Sequence, residues 1–293
     1  MSPRILAGLL GSAVLAAAPL WPAAASRPAP RLKLAVLPCT NIETTFRKFQ
    51  PLLAHLESAA GLVVTLVVPG DFAEFETTLA NDQVDFALQD PHTYRQVSRL
   101  LDDTSLLQTR ALDGTTRQSG VVVVRRDSGI TDLVQLRGRS VMFGPRISSP
   151  KWIAAKLLFE SKGIAVDRDV KGVAGWCCED IAFAVSVRSV DGGVICDHFL
   201  GQHPARQKDL GVDPGSLLVI GRTPPVPTRI FAARRGVPPA VIAAMTRALL
   251  QLDPDNPQHA GILASAEIRG FLRTTGAEYL RELARPAAPG HPR

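Results

Sequence analysis

Short apolar runs separated by helix-patterned stretches recur along this chain, and that alternation narrows the fold more than any other feature. Residues 32–38 (LKLAVLP) read as a buried strand. A loop, Cys39-Thr40-Asn41, follows, and then residues 43–59, where Phe46, Phe49, Leu52, Leu53 and Leu56 recur at helical spacing. Gly61 ends that helix. Residues 63–69 form a second strand, residues 71–79 a short helix with Phe72, Phe75 and Leu79 on one face, and residues 84–88 a third strand running into Gln89-Asp90-Pro91-His92-Thr93-Tyr94. Strands alternating with helices predict an α/β fold with open, mostly parallel sheets. In such sheets ligands bind beyond the carboxyl ends of the strands, where the loops at Cys39 and at Asp90 both fall.

The second half repeats the alternation. Strands are expected at residues 121–124, 139–143, 193–196, 217–220 and 229–234, and late helices at 238–252, 258–269 and 276–283. Two places have the character of crossings between lobes: residues 120–124, and 223–231 with the run Pro224-Pro225-Val226-Pro227. Lobe 1 is therefore expected at 26–119 plus 225–284, lobe 2 at 120–224, and a disordered tail at 285–293. Two α/β lobes joined by two segments make a hinged ligand trap.

Residues 1–25 carry the marks of a secretory signal: Arg4, an apolar run, and Ala23-Ala24-Ala25 as a cleavage site. No later segment is long and apolar enough to span a bilayer, so an exported, periplasmic protein is expected. The net charge of +6 comes without a Lys/Arg cluster or interleaved aromatics. That balance favours small anionic ligands over nucleic acid. No Ser–His–Asp order, G-x-S-x-G, Walker loop or C-x-x-C is present, so neither an enzyme nor a cofactor is expected.

One stretch concentrates anion-binding chemistry: Phe143-Gly144-Pro145-Arg146-Ile147-Ser148-Ser149-Pro150-Lys151-Trp152. It joins a strand to a helix that Ser148 or Ser149 caps, with Pro150 in the first turn. The unpaired amides of such a helix start attract anions, and Arg146 and Lys151 add cationic donors. The same signature also marks an ordinary capped helix.

Residues 32–283 resemble the phosphonate/phosphite/phosphate-binding proteins of ABC transporters, which are type II periplasmic binding proteins. The segments NDQVDFALQDPHTY and GVVVVRRDSGITDLVQLRGRSVMFGPRISSPKW carry the resemblance, with LAVLPCTNIETTFRKFQPLLAHLESAAG and RIFAARRGVPPAVIAAMTRALL beside them. It implies two α/β lobes around a cleft, a small oxyanion ligand, a permease partner and a monomer. In the family a turn of pattern Asp-Pro-x-Ser-Thr-Ser-Gly grips the oxyanion. Here Ser148 and Ser149 survive, while Ile147 and Pro150 replace a hydroxyl residue and the glycine. Tyr94 keeps the family's aromatic after the third strand, and Asp197 stands where acidic residues meet a ligand amine. The expected contacts are thus Cys39, Thr40, Asp90, His92, Tyr94, Ser148, Ser149, Cys177, Cys178 and Asp197.

The same register puts Cys39, Cys177, Cys178 and Cys196 on cleft-facing loops. Three fates for them are open: a disulfide joining Cys177 or Cys178 to Cys196, inert thiols, or a soft-ion site. Some relatives are periplasmic arsenite sensors feeding a membrane histidine kinase. The alternative function is therefore a sensor of a thiophilic metal or metalloid bound by Cys39, Cys177, Cys178 and Cys196.

Overall fold

The computed structural model describes residues 31–37, 42–202 and 211–284. The chain first lays down β1 (Arg31–Val36), α1 (Ile42–Ala60), β2 (Val63–Val67), α2 (Phe72–Ala80), β3 (Phe86–Gln89), α3 (Pro91–Val97) and β4 (Leu106–Arg110). It passes through β5 (Arg117–Gln118) into β6 (Gly120–Arg125), β7 (Ser140–Phe143), α4 (Ala154–Ser161), α5 (Val166–Asp169), β8 (Lys171–Ala174), α6 (Cys178–Ser186), β9 (Gly192–Cys196), α7 (Phe199–Gln202) and β10 (Leu217–Arg222). It returns through β11 (Val226–Pro227) to β12 (Ile230–Ala233), α8 (Pro239–Leu250), α9 (Pro257–Ser265), β13 (Gly270–Thr274) and α10 (Gly276–Ala284).

Two sheets result, in the orders β13-β4-β12-β3-β1-β2 and β10-β6-β9-β7-β8, with β5 and β11 pairing as a short antiparallel ribbon. The βαβ portions are parallel: β1 with β2 and β3, and β7 with β8 and β9. The strands near the crossings run antiparallel to their neighbours, so both sheets are mixed. A chain that leaves one sheet and re-enters it without a crossover helix arrives in the opposite direction.

Strand periodicity fills both faces of each sheet. Phe86 and Leu88 face one core layer of the first sheet and Ala87 the other. In the second sheet Val122 and Val124 face one layer and Val121 and Val123 the other. A strand buried on both sides must be apolar throughout, which is why β6 reads as an unbroken valine run. Helix α1 contributes Phe49, Leu52 and Leu56, while Phe46 on the same predicted stripe stays exposed. Gly61 follows the helix with φ of 61°, a left-handed turn that costs glycine nothing.

β4 and β13, neighbours in the first sheet, go beyond the strands expected from sequence. β4 carries the buried polar residues Gln108 and Thr109, which bond to the carbonyls of Thr116 and Arg229. Among the described residues, no helix is long and apolar enough to cross a membrane. The expected signal at 1–25 and tail at 285–293 lie outside the described residues.

Candidate functional site

The carboxyl ends of the strands in both sheets converge on one cleft enclosing about 140 Å³. Leu37, Asp90 and Arg110 reach it from the ends of β1, β3 and β4. Ser148 and Lys151 reach it from beyond β7, Cys178 from beyond β8, and Cys196 and His198 from the end of β9. This is the general ligand position of open α/β sheets, doubled because two sheets face each other.

The turn after β7 is built for anions. Ser149–Ile153 is a π-turn, a rare winding that gathers at functional sites, and it runs directly into α4. Ser148 caps it, its hydroxyl accepting from the Lys151 amide at 3.3 Å. The Ser149 amide points across the cleft and donates to both carboxylate oxygens of Asp90 at 3.1 Å. The Ser149 hydroxyl donates to Asp90 as well, and accepts from the His92 amide at 3.1 Å. Asp90 also caps α3 through the His92 amide. The anion seat of the second lobe therefore holds a carboxylate of the first lobe. Burial pushes the Asp90 carboxyl up, and the Ser149 bonds offset only part of that.

Lys151 is the cation of this seat. It is 3% exposed, and its ammonium donates to the Trp176 carbonyl at 2.8 Å. Its stem lies against Gly144, where a Cβ would come within 2.6 Å of the Lys151 Cβ, so only glycine fits there. Its charge also acts on Asp90 and Cys178. Arg146, the other expected donor, turns outward: it is exposed and stacks over Trp152 at 4.5 Å.

A second charged group spans the cleft mouth. Lys48 of α1 pairs with Glu267 at 2.8 Å and reaches Glu179 of α6 at 4.0 Å. Glu267 has φ of 56°, a left-handed conformation that costs a non-glycine residue free energy and is tolerated mainly where function needs it. Burial pushes its carboxyl up, but the Lys48 ammonium, with Arg229 and His198 assisting, more than offsets this and holds it below the usual range. Its depressed folded-state pKa adds stability above the ordinary glutamate range, and this is lost as pH falls through the folded value. Thermal melts over that acid window should show a steeper loss in the wild-type protein than in Glu267→Gln. Equal slopes would dissociate the pair from stability.

The thiols divide into two sets. Cys178 and Cys196 line the cleft together, and the Cys178 sulfur accepts from the Cys196 amide at 3.2 Å. The Cys178 thiol is lowered to about 7, first by hydrogen bonding from the Cys196 side chain, with burial opposing and Lys151 assisting. Cys177 does something else. It is buried, caps α6 by accepting from the Asp180 amide at 3.3 Å, and its thiol is pushed up by burial. Among the described residues no three His, Cys, Asp or Glu side chains gather as a metal site, so Cys177 does not join Cys178 and Cys196 in one. Cys39 and Thr40 lie outside the described residues.

Other expected contacts are placed elsewhere. Tyr94 is 1% exposed and packs edge-on against Tyr279 at 5.4 Å, inside the first lobe's core. Thr93, Tyr94 and Val97 form the buried face of α3, which carries the ring away from the cleft. Burial raises the Tyr94 hydroxyl to about 12. Asp197 is held by Arg222 at 2.6 Å and does not line the cleft. The His92 ring contacts Gln96 at 2.7 Å, and only its amide serves the seat. Lys48, Arg229, Glu179, Glu267 and His198 were not among the expected contacts, though all five line the cleft.

The sequence matches the family model of the phosphonate periplasmic substrate-binding proteins of ABC transporters over residues 34–279. The chain belongs to this family. Solved structures agree in fold. A binding component of a phosphonate ABC transporter from Pseudomonas aeruginosa superposes with a TM-score of 0.73 at 16% identity, covering 86% of this chain and 84% of that one. PhnD1 of Prochlorococcus marinus, in complex with methylphosphonate, gives 0.74 at 14% identity, covering 87% and 97%. XAC2383 from Xanthomonas citri, bound to ATP, gives 0.66 at 20% identity, covering 87% and 94%. Like other members of its family, this substrate-binding protein is a two-lobed periplasmic α/β protein that serves an ABC transporter.

Proposed function

We propose that this chain captures a small phosphorus oxyanion between lobe 1 (26–119 plus 225–284) and lobe 2 (120–224) and hands it to a permease. It works as an exported monomer, as a binding protein and not an enzyme, with the β5–β11 ribbon as the hinge region. One observation carries the reading. The Ser149 amide and hydroxyl already grip an oxyanion, the Asp90 carboxylate, with the Lys151 ammonium close by. Two carboxylate oxygens on one amide and one hydroxyl present the same acceptor pattern as two oxygens of a phosphonate. The ligand takes the place of Asp90, and the released carboxylate turns toward solvent or a ligand amine.

The test is a thermal-shift titration of the reduced, mature protein with methylphosphonate, phosphite, phosphate and arsenite. A ligand at a hundredfold excess over its dissociation constant adds about 2.7 kcal/mol, or roughly 5–10 °C for a chain of this size. A shift with at least one phosphorus oxyanion is expected. A shift with arsenite alone would replace this reading by the thiophilic sensor.

Competition for the seat gives a further expectation. Asp90→Ala removes the internal competitor and should tighten oxyanion binding by about tenfold, since a charge-assisted hydrogen bond is worth ~1.5–3 kcal/mol and part of the gain is lost with the α3 cap. Calorimetry on the variant checks this. Weaker binding would mean that Asp90 holds the ligand instead of excluding it.

A further inference from the structure

The cleft wall beside Lys151 contains a second chemistry that oxyanion capture does not use. The amino-terminal end of α6 meets the carboxyl end of β9 there, and this brings Cys178 and Cys196 together. The Cys178 sulfur sits 3.2 Å from the Cys196 amide nitrogen, and the Cys196 side chain is the leading influence on the Cys178 thiol. Both residues are half-buried, both line the cleft, and both are thiols in this structure. Their elements are fixed by the second lobe's core, with Ile181 and Val185 of α6 packed against Ile195 of β9, so the pair is held without strain from the loops. Sulfur placed against the neighbouring residue's backbone is within the reach that a disulfide needs. Cys177, one residue earlier, is spent on the helix cap and is absent from the cleft lining.

We propose that Cys178 and Cys196 form a reversible disulfide in the cleft wall, and that this bond sets the oxyanion affinity of the neighbouring Lys151 seat. The second clause rests on the oxyanion reading above, while the first stands without it. The oxidant is a disulfide compound of the exported compartment, either a dithiol–disulfide oxidoreductase or a small disulfide. The Cys178 thiolate attacks one sulfur of that disulfide, forms a mixed disulfide and expels the first thiolate. The Cys196 thiol gives up its proton and attacks the Cys178 sulfur, which expels the second thiolate. The protein loses two electrons and the Cys196 proton, and the oxidant leaves as two thiols, one protonated by Cys196 and the other by water. Reduction by a dithiol runs the same steps backwards.

The consequence for binding is electrostatic. Cys178 and Lys151 line the same cleft, and above about pH 7 the reduced protein carries Cys178 as a thiolate that competes with an incoming oxyanion for the Lys151 ammonium. In the disulfide form that negative charge is gone, while Lys151 and the Ser149 amide are unchanged. One unit charge removed at this range, screened as at a protein surface, corresponds to a change on the order of tenfold in affinity. The oxidised protein is then the high-affinity form, matched to an oxidising compartment, and reduction loosens the ligand.

The experiment uses the mature Cys39→Ser/Cys177→Ser variant, in which the pair alone remains and serine preserves the α6 cap. The protein is incubated with oxidised glutathione or with dithiothreitol, alkylated and weighed, then mapped by non-reducing peptide digestion. Oxidation should leave no alkylatable thiol and yield a peptide linking Cys178 to Cys196, and dithiothreitol should restore both adducts. Calorimetry with methylphosphonate, phosphite and phosphate on the two forms at about pH 8, where the Cys178 thiol is mostly ionised, should show about tenfold tighter binding when oxidised. Cys196→Ser should show neither the link nor the redox dependence. Two alkylated thiols after oxidation, or a stable glutathione adduct in place of the link, would overturn the bond. A link with equal affinities in both forms would overturn its effect on binding. If neither form binds any of the three anions, the oxyanion reading and the affinity clause fall together, and the mass measurement still decides the bond.

Discussion

Lys151→Met should remove most of the oxyanion affinity and leave the fold standing. The side chain is 3% exposed, its stem lies against Gly144, and its ammonium ends at the Trp176 carbonyl beside the Ser149 seat. Methionine reproduces the stem without the charge. Loss of the ammonium leaves the Trp176 carbonyl without that donor, a cost of about 1–3 kcal/mol that lies within the ~5–15 kcal/mol by which folded domains are stable. The ligand, however, loses a charge-assisted contact in a water-poor cleft, worth ~1.5–3 kcal/mol, or about ten- to a hundredfold in affinity. Paired melting curves and calorimetry separate the two effects. Unchanged affinity at unchanged melting temperature would place the ligand away from Lys151.

Gly120→Ala should damage fold and site together, because Gly120 lies where the crossing segments and the anion turn meet. Its amide donates to the Thr223 hydroxyl and its carbonyl accepts from the Thr223 amide, both at 2.8 Å, which ties the outgoing and returning segments to each other. On its other side is the site turn: a Cβ at Gly120 would lie 2.5 Å from the Pro150 carbonyl oxygen and 3.1 Å from the Thr223 methyl group. The first of these contacts is backbone and has no rotamer to escape into. Overpacking of this kind costs about 1–3 kcal/mol, which at roughly 2–4 °C per kcal/mol lowers the melting temperature by several degrees. The displaced Pro150 moves Ser149 and Lys151 with it, so affinity should fall as well. A variant that melts and binds as the parent does would show that the turn has slack.

The fold was legible because both faces of each sheet are covered, so strands such as β6 and β1 stand out as apolar runs and the helices between them as stripes. β4 and β13 were hidden by their polar residues, whose partners are remote in sequence: Gln108 and Thr109 answer to Thr116 and Arg229. The site was legible in part. Ser148, Ser149, Asp90 and Lys151 follow strand ends and carry their own cap signals. Tyr94, an expected contact, sits in the first lobe's core, where the spacing of Thr93, Tyr94 and Val97 makes a buried helix face. Lys48 and Glu267 left no local signal. Their pairing needs α1 and the end of α9 to meet at the cleft mouth, and Glu267 further needs a left-handed backbone that its residue type does not announce. Asp197 had the chemistry of a ligand contact, and Arg222 on β10 takes it instead.

The most direct test is a crystal structure of the reduced protein with methylphosphonate. The account predicts phosphonate oxygens on the Ser149 amide and hydroxyl and within hydrogen-bond reach of the Lys151 ammonium, with the Asp90 carboxylate rotated off Ser149. A ligand bound elsewhere in the cleft, with the Asp90–Ser149 contacts still in place, would contradict it.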